Sequence, residues 1–443
     1  MTALAGTGTL GSGSNVTYQE EILTKGFEPK TSEPAWLSSF RRSGFERFQK
    51  TGFPGRKMEA WKYMSLESLL KMPASRPSAD NYKKPAFGDE TAFIFINGIF
   101  SETFSKIKDD HRALKWGYAS RHSDWADTAV CEIQKGAEEE KNPFVSINAF
   151  RFDDIFVLNV PRETSLKTPV HLIFSAQGES SSLGQWDPRI LIRLEPGAKA
   201  EFVFDFKDET QASYFMNAVL QVSLGENSKL HFTKVQRCSS STVQLVTARV
   251  RQAAGSSLEW VSFTQGGQSI RNETEIRLQG ANASCSLRGL AMLNGKSQIF
   301  HHAFVYHEKP DCVSRQIFKN ILDDKSVAEF DSLVKVCRGA DGSDSGQLDR
   351  NLLLSNDART YSRPQLEIDA DDVKANHGAA TGKLEKDELF YLRSRGLSKE
   401  TARFLITYGF AEEVLQEIHH DRLRAELEYF AGDQIRKMIG ANK

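Results

Sequence analysis

A phrase repeated at nearly constant spacing constrains this chain more than any other feature. Leu194–Phe202, Leu224–Phe232, Ala254–Trp260, Leu278–Ser286 and Leu322–Phe330 each carry a Gly, Asn or Asp turn, then a small residue, then a closing position. Phe202, Phe232, Trp260, Ser286 and Phe330 close the copies, at steps of 30, 28, 26 and 44 residues. The long last step is read as an insertion or an extra partial turn. Such a period suits the stacked coils of a β-solenoid, in which each coil buries its inward side chains only against its neighbours. A Greek-key sandwich also spaces its turns regularly, but it does not require the phrase itself to repeat.

Around the repeats, from about Ala92 to Leu366, the chain consists of short β-branched and aromatic runs broken by Gly, Asn, Asp and Pro. Helical spacing appears on either side. Trp36, Leu37, Phe40, Gly44 and Phe48 form one stripe, begun by Pro34 at the first helical position and stopped by Gly52 and Pro54, and a short helix is expected over Ser65–Lys71. Arg41, Arg42, Arg47 and Lys50 lie off the stripe and read as a solvated face. Near the other end, Leu384 to Gly396 reads as a helix, Ser398 as the N-cap of a second ending near Gly409, and the run to Met438 as a helical tail. The expected division is a flexible tail over 1–18, a helical region over 19–88, a mainly β core over 89–368 and a helical region over 369–443. The stretch Met1–Val16 is uncharged and rich in Gly, Thr and Ser, and a transit-peptide remnant is its alternative reading.

Composition narrows the functional classes. With 57 Lys+Arg against 58 Asp+Glu, a net charge of -1 argues against a nucleic-acid surface covering the whole protein. No run approaches 18 apolar residues, so no transmembrane helix and no membrane role is expected. The cysteines Cys131, Cys238, Cys285, Cys312 and Cys337 never form Cys-x-x-Cys, so free thiols are expected rather than a zinc ribbon or redox dithiol.

Motifs of chemistry are sparse. Gly289 to Ser297 has five residues between its glycines where a phosphate loop has four, and a strand follows it, so it reads as a solenoid turn. On a strand, His301 and His307 would share one face and His302 the other, and no acidic or thiol cluster sits beside them in sequence, so they read as structural or surface residues. His377, in Asp371–Ala379, falls where a loop is expected between the β body and the final helices, free to reach a partner. Imidazole is a borderline ligand that suits iron as well as zinc.

Ordered blocks along the chain resemble a known family. They are Gly55-Arg-Lys-Met-Glu-Ala-Trp-Lys-Tyr63, Asn148-Ala-Phe150 with Val160-Pro161, then His307, Pro310, Ser314, Gln316, Lys319 and Ile321. Asn351–Ser355, Pro364–Ile368, Asp371–Val373, His377-Gly378 and Phe390–Gly396 follow. With these the chain resembles the SufB/SufD family of iron–sulfur cluster assembly scaffolds, on its SufD side. The resemblance implies a right-handed parallel β-helix between helical regions. It also implies a non-catalytic scaffold, partnered by SufB and by two copies of the ATPase SufC, with a homodimer as a further possibility, in the cytoplasm or the plastid stroma. Residues Leu384 to Tyr408 would dock SufC, through Leu389, Phe390, Tyr391, Leu392, Arg393, Arg395 and Phe404. His377 would be the candidate iron or cluster ligand at the SufB interface. Some relatives have Cys-Ser before this His-Gly where the chain has Ala375-Asn376. No thiolate therefore flanks the ligand, and no cofactor would be held stably by this chain alone: iron or a nascent cluster would be shared with SufB. The alternative from the pattern alone is a solenoid carbohydrate-active enzyme or binding protein, which as a hydrolase would need two carboxylates roughly 5–9.5 Å apart on a groove.

Overall fold

The computed structural model describes residues 16–25, 27, 33–73, 82–121, 131–134, 139–178, 182–208, 210 and 212–440. The tail expected over 1–18 falls almost wholly outside them.

Two ten-stranded sheets face one another along a parallel β-solenoid of about seven turns. Through the body, each turn contributes one strand of roughly ten residues to each sheet, as in Lys229–Cys238 followed by Val243–Gln252. Phe202, Phe232, Trp260, Leu287, Gln316, Gln347 and His377 pair in register on successive strands of the first sheet and form one inward column. Its first members stack, with Phe232 4.0 Å from Trp260 between ring centroids. Each buried aromatic of this kind contributes about 1.5–3 kcal/mol.

The turn phrase stacks as well. Gly197, Asn227, Gly255, Asn282, Asp311 and Gly342 all take positive φ, between 56° and 74°. Each donates its amide to a carbonyl of the next turn, from Gly197 to Glu226 at 2.8 Å through to Gly342 to Asp372 at 2.7 Å. Only Gly, Asn and Asp enter the left-handed region at small cost, which is why these residue types recur.

The register corrects two of the aligned copies. In the fourth, the column residue is Leu287, since Ser286 pairs with Glu259 on the outward row. Phe330 belongs to the second sheet, opposite His301, so the 44-residue step reflects a change of sheet and not an insertion.

One end of the solenoid is closed. Strands Thr91–Ile96 and Ile99–Lys106 form an antiparallel hairpin whose two-residue turn, Asn97-Gly98, has φ of 48° and 82°. Lys115–Tyr118 pairs antiparallel with Ile155–Val160 in the second sheet. Phe93, Phe95, Phe100, Trp116 and Phe156 fill the space between these strands.

Helices cover both outer faces. Helix Ala35–Thr51 packs with helix Pro143–Arg151 over the second sheet, Gly44 closing against Ala149, where an added Cβ would meet Ala149 Cβ at 2.6 Å. Pro34 is the N-cap of that helix, not its first residue. Arg41 is not solvated: it is 2% exposed and donates to Glu33 Oε2 at 2.8 Å and to the Phe152 and Asp153 carbonyls. The short helix spans Glu67–Leu70. On the first sheet, Ala411, Val414, Leu415, Leu423, Leu427 and Ile435 pack against Val203, Val235, Val261 and Phe263. They come from helices Lys399–Leu415 and Asp421–Gly440. Ser398 caps the first of these by accepting from the Thr401 amide. That helix runs through Gly409 to Leu415, because an interior glycine costs only about 1 kcal/mol and the packing of Ala411, Val414 and Leu415 outweighs it.

The described cysteines form no disulfide. No described helix is long and apolar enough to cross a membrane.

Candidate functional site

The other end of the solenoid is open. Arg359–Ile368 ends the second sheet and Val373–Gly382 ends the first, each paired on one side only. Where earlier strands alternate buried positions, these two are half-buried or exposed throughout, and Ile368 is 43% exposed. Leu366, Ala370 and Val373 close the interior core from this side without being covered themselves. Unpaired edges beside a cut apolar core are a ready template for pairing with another chain.

His377 stands on this last strand and not in a loop, and the β body runs one strand past the boundary expected at Ile368. It occupies the end of the inward column, opposite Gln347, and is exposed because no further coil lies over it. No ion pair engages its ring among the described residues.

The column turns from aromatic to polar as it nears the mouth. Gln316 is 1% exposed with neither side-chain polar atom hydrogen-bonded. Gln347 accepts from Ser332 Oγ at 2.5 Å and donates to the Gln365 carbonyl at 2.9 Å. One inward step along the same strand, Asp349 accepts from Asn351 Nδ2 at 2.7 Å and from the Ser362 hydroxyl. Burial pushes its carboxyl up to about 6, while the Ser362 and Asn351 hydrogen bonds oppose the shift. The mouth therefore offers an imidazole, two amides and a carboxyl raised above its ordinary range, set among the inward serine and asparagine side chains of the last turns. The only trace in sequence was the alternation Ser343, Ser345, Gln347, Asp349, Asn351, which marks an inward row but carries surface residue types.

The expected docking residues separate into two groups. Leu389, Phe390, Tyr391, Leu392 and Arg393 lie on helix Lys386–Ser394, which buries none of its residues, and Arg395 caps its end. Phe390 is 73% and Tyr391 58% exposed, with the Arg395 guanidinium 5.3 Å from the Tyr391 ring centre. Phe404 belongs to the next helix and is engaged within the chain, stacked on Tyr408 at 5.6 Å beneath Arg436.

A cavity of about 740 Å³ lies elsewhere, between the N-terminal helices and the second sheet. Its carboxylates are tied to arginine: Glu140 and Glu273 to Arg249 at 2.8 and 2.7 Å, Glu275 to Arg277 at 2.8 Å, Glu139 to Arg277 at 3.4 Å and Glu59 to Arg363 at 2.9 Å. Glu273 is held down at about 2; burial acts to raise it, but Arg249 and Arg271 together outweigh that. A hydrolytic acid needs the opposite shift. Glu329, pushed up to about 7 mainly by burial, lies outside this cavity, 4% exposed beside His302 and Asp331. His302 thus does have acidic neighbours, brought by strand pairing from 27 and 29 residues away, while His301 and His307 point the other way. All three histidines are buried.

Comparison with known proteins points in one direction. Residues 174–410 match the family described as SUF system FeS cluster assembly, SufBD core domain. The chloroplastic protein ABCI7 of Arabidopsis thaliana is 30% identical over 409 residues, covering 89% of this chain and 85% of its own. An iron–sulfur cluster assembly SufBD family protein of Synechocystis is 27% identical, covering 89% and 90%. The iron–sulfur cluster assembly protein SufD of Escherichia coli is 26% identical, covering 86% and 89%.

Proposed function

Since the chain belongs to the SufBD family of the SUF iron–sulfur cluster assembly system, we propose that it is a SufD-type scaffold that joins SufB at its open end and carries SufC-type ATPases on its free helix. The observation that carries this reading is the uncovered last turn, an interior column that stops at His377 with no coil above it. A second solenoid placed there would extend both sheets across the junction and bury Ile368, Leu366 and Val373. His377 would then sit between the two chains, where its imidazole and a thiolate of the partner could hold iron or a nascent cluster as cargo.

In this reading the chain supplies a ligand and a lever, and turns nothing over itself. The ATPase would engage Phe390 and Tyr391, on the one C-terminal helix that the solenoid does not hold, and its dimerisation would be felt at the interface. Nucleotide then shifts the population of open and closed interfaces by whatever difference in binding free energy the two docked states show. The work would be done in the cytoplasm or, as the chloroplastic relative suggests, in a plastid stroma.

Light scattering on mixtures of the chain with SufB-type and SufC-type proteins tests this. Ile368→Asp is expected to lose the SufB-type partner while keeping the ATPase. His377→Ala is expected to assemble normally and fail to accumulate cluster absorbance. Association untouched by Ile368→Asp would refute the placement of the interface.

A further inference from the structure

Two histidines that no part of the proposed assembly uses are consecutive, His419-His420, in the link between helices Lys399–Leu415 and Asp421–Gly440. They splay over the outer face of the first sheet, far along the strand order from the mouth. Acid and imidazole side chains alternate from strand to strand beneath them; Glu201, His231 and Glu259 pair in one register row, and His171, paired with Ala92 and Val203, lies two residues further along. Glu90 precedes the strand Thr91–Ile96, and His171, Glu201, His231 and Glu259 follow on the next four strands.

Each histidine of the pair completes a separate group. His420 Nε2 lies 3.0 Å from Glu90 Oε1, and His171 Nε2 lies 3.0 Å from Oε2 of the same carboxylate. His419 Nε2 lies 2.6 Å from Glu259 Oε2, and His231 Nδ1 is 3.6 Å from that oxygen. In both groups the three ligand atoms fall within 4.8 Å of one another. A tetrahedral ion with bonds of about 2.0–2.2 Å sets its ligand atoms roughly 3.4 Å apart, so each trio needs only small side-chain adjustments to close on one.

Hydrogen bonding alone leaves these groups incomplete. His171 Nε2 and His231 Nδ1 are buried and hydrogen-bond to nothing, although each is close to a carboxylate, and Oε1 of Glu201 is buried without a partner on the strand between them. The His231 and His419 rings stand at 84° and those of His171 and His420 at 73°, an edge-on arrangement and not a stack. Two imidazoles and one carboxylate with an open position form a donor set for zinc and its first-row neighbours.

We propose that the His419-His420 pair completes two adjacent binding sites for divalent first-row transition ions of the zinc class, His171–His420–Glu90 and His231–His419–Glu259, which staple the C-terminal helices to the solenoid. Metal binding to a preformed cluster of this kind couples directly to stability. The sites are independent of the mouth and of the cluster cargo.

The test uses the full, tag-free chain after chelation, titrated with Co²⁺ and followed by visible ligand-field absorption and by metal content. Two equivalents are expected, with a rise in melting temperature. His171→Asn and His231→Asn should each retain one equivalent, the double variant none, and His377→Ala both. Circular dichroism checks the fold, and Glu259→Gln, at a side chain 43% exposed, replaces His231→Asn should that variant misfold. Fewer than two equivalents in the parent chain, or two retained in the variants, would overturn the proposal and leave a hydrogen-bonded clasp.

Discussion

Removing the Phe390 ring should weaken ATPase binding and leave the fold alone. Phe390 is 73% exposed on a helix with no buried residue. A phenylalanine presents roughly 200 Å² of surface, so about 150 Å² awaits a partner. At about 25 cal/mol per Å², complete burial would be worth at most ~3.7 kcal/mol. Alanine keeps its Cβ and a docked ring is seldom fully covered, which brings the expected loss from Phe390→Ala to about 2 kcal/mol, or roughly 30-fold in Kd. Tyr391, 58% exposed with Arg395 against its ring, should cost less on the same substitution. Calorimetric titration of a SufC-type ATPase measures the change. The melting temperature should move by no more than an exposed substitution does, about 0.5 kcal/mol in stability. An unchanged Kd would refute the assignment of this helix as the dock, and a large fall in melting temperature would show that Phe390 is structural.

Two further predictions concern the body of the protein. Phe232→Ala removes a ring between Phe204 at 4.8 Å and Trp260 at 4.0 Å, and should cost about 3–5 kcal/mol in urea unfolding; a loss under about 1 kcal/mol would mean that the column does not carry the stack. Glu329, raised from 4.5 to about 7 chiefly by burial, favours the folded state when protonated, a contribution complete below about pH 4.5 and lost as pH rises through about 7. Glu329→Gln has no such titration, so its melting temperature relative to the parent should climb between pH 5 and pH 8. A difference that stays flat with pH would refute the burial argument.

The parts of the fold legible in sequence are those fixed by local chemistry. A left-handed turn position tolerates few residue types, so Gly197, Asn227, Gly255 and Asn282 advertise themselves, and the apolar residue after each marks the column. The reading failed where inward positions stop being apolar. Gln316, Gln347 and His377 continue the column of Phe202 and Trp260, but only the pairing register reveals it, and a phase taken from hydrophobicity slips at Leu287 and jumps sheets at Phe330. For the same reason the sequence around His377 reads as a loop. Its strand lacks the buried alternation that identifies a strand, because nothing covers it. Long-range neighbours were beyond reach on principle: the carboxylates beside His302 arrive from the next coil, and Arg41, read as a solvated residue, is enclosed by carbonyls more than 100 positions away.

The unequal ends of the solenoid fix how many copies of such a body can be strung together. A rod of parallel strands with two bare edges would accept another at each end and grow without limit, the route by which sheet proteins become fibres. Here the hairpin and the strand Lys115–Tyr118, packed with Phe93, Phe95 and Trp116, end the parallel stack with antiparallel strands, so in the proposed assembly only the other end continues the solenoid and the chain would have a valency of one. In the proposed assembly an end-to-end union of two bodies built this way would close as a pair, with a stopper at each extremity and a single seam at the middle, and His377, the last member of the inward column, would lie on that seam.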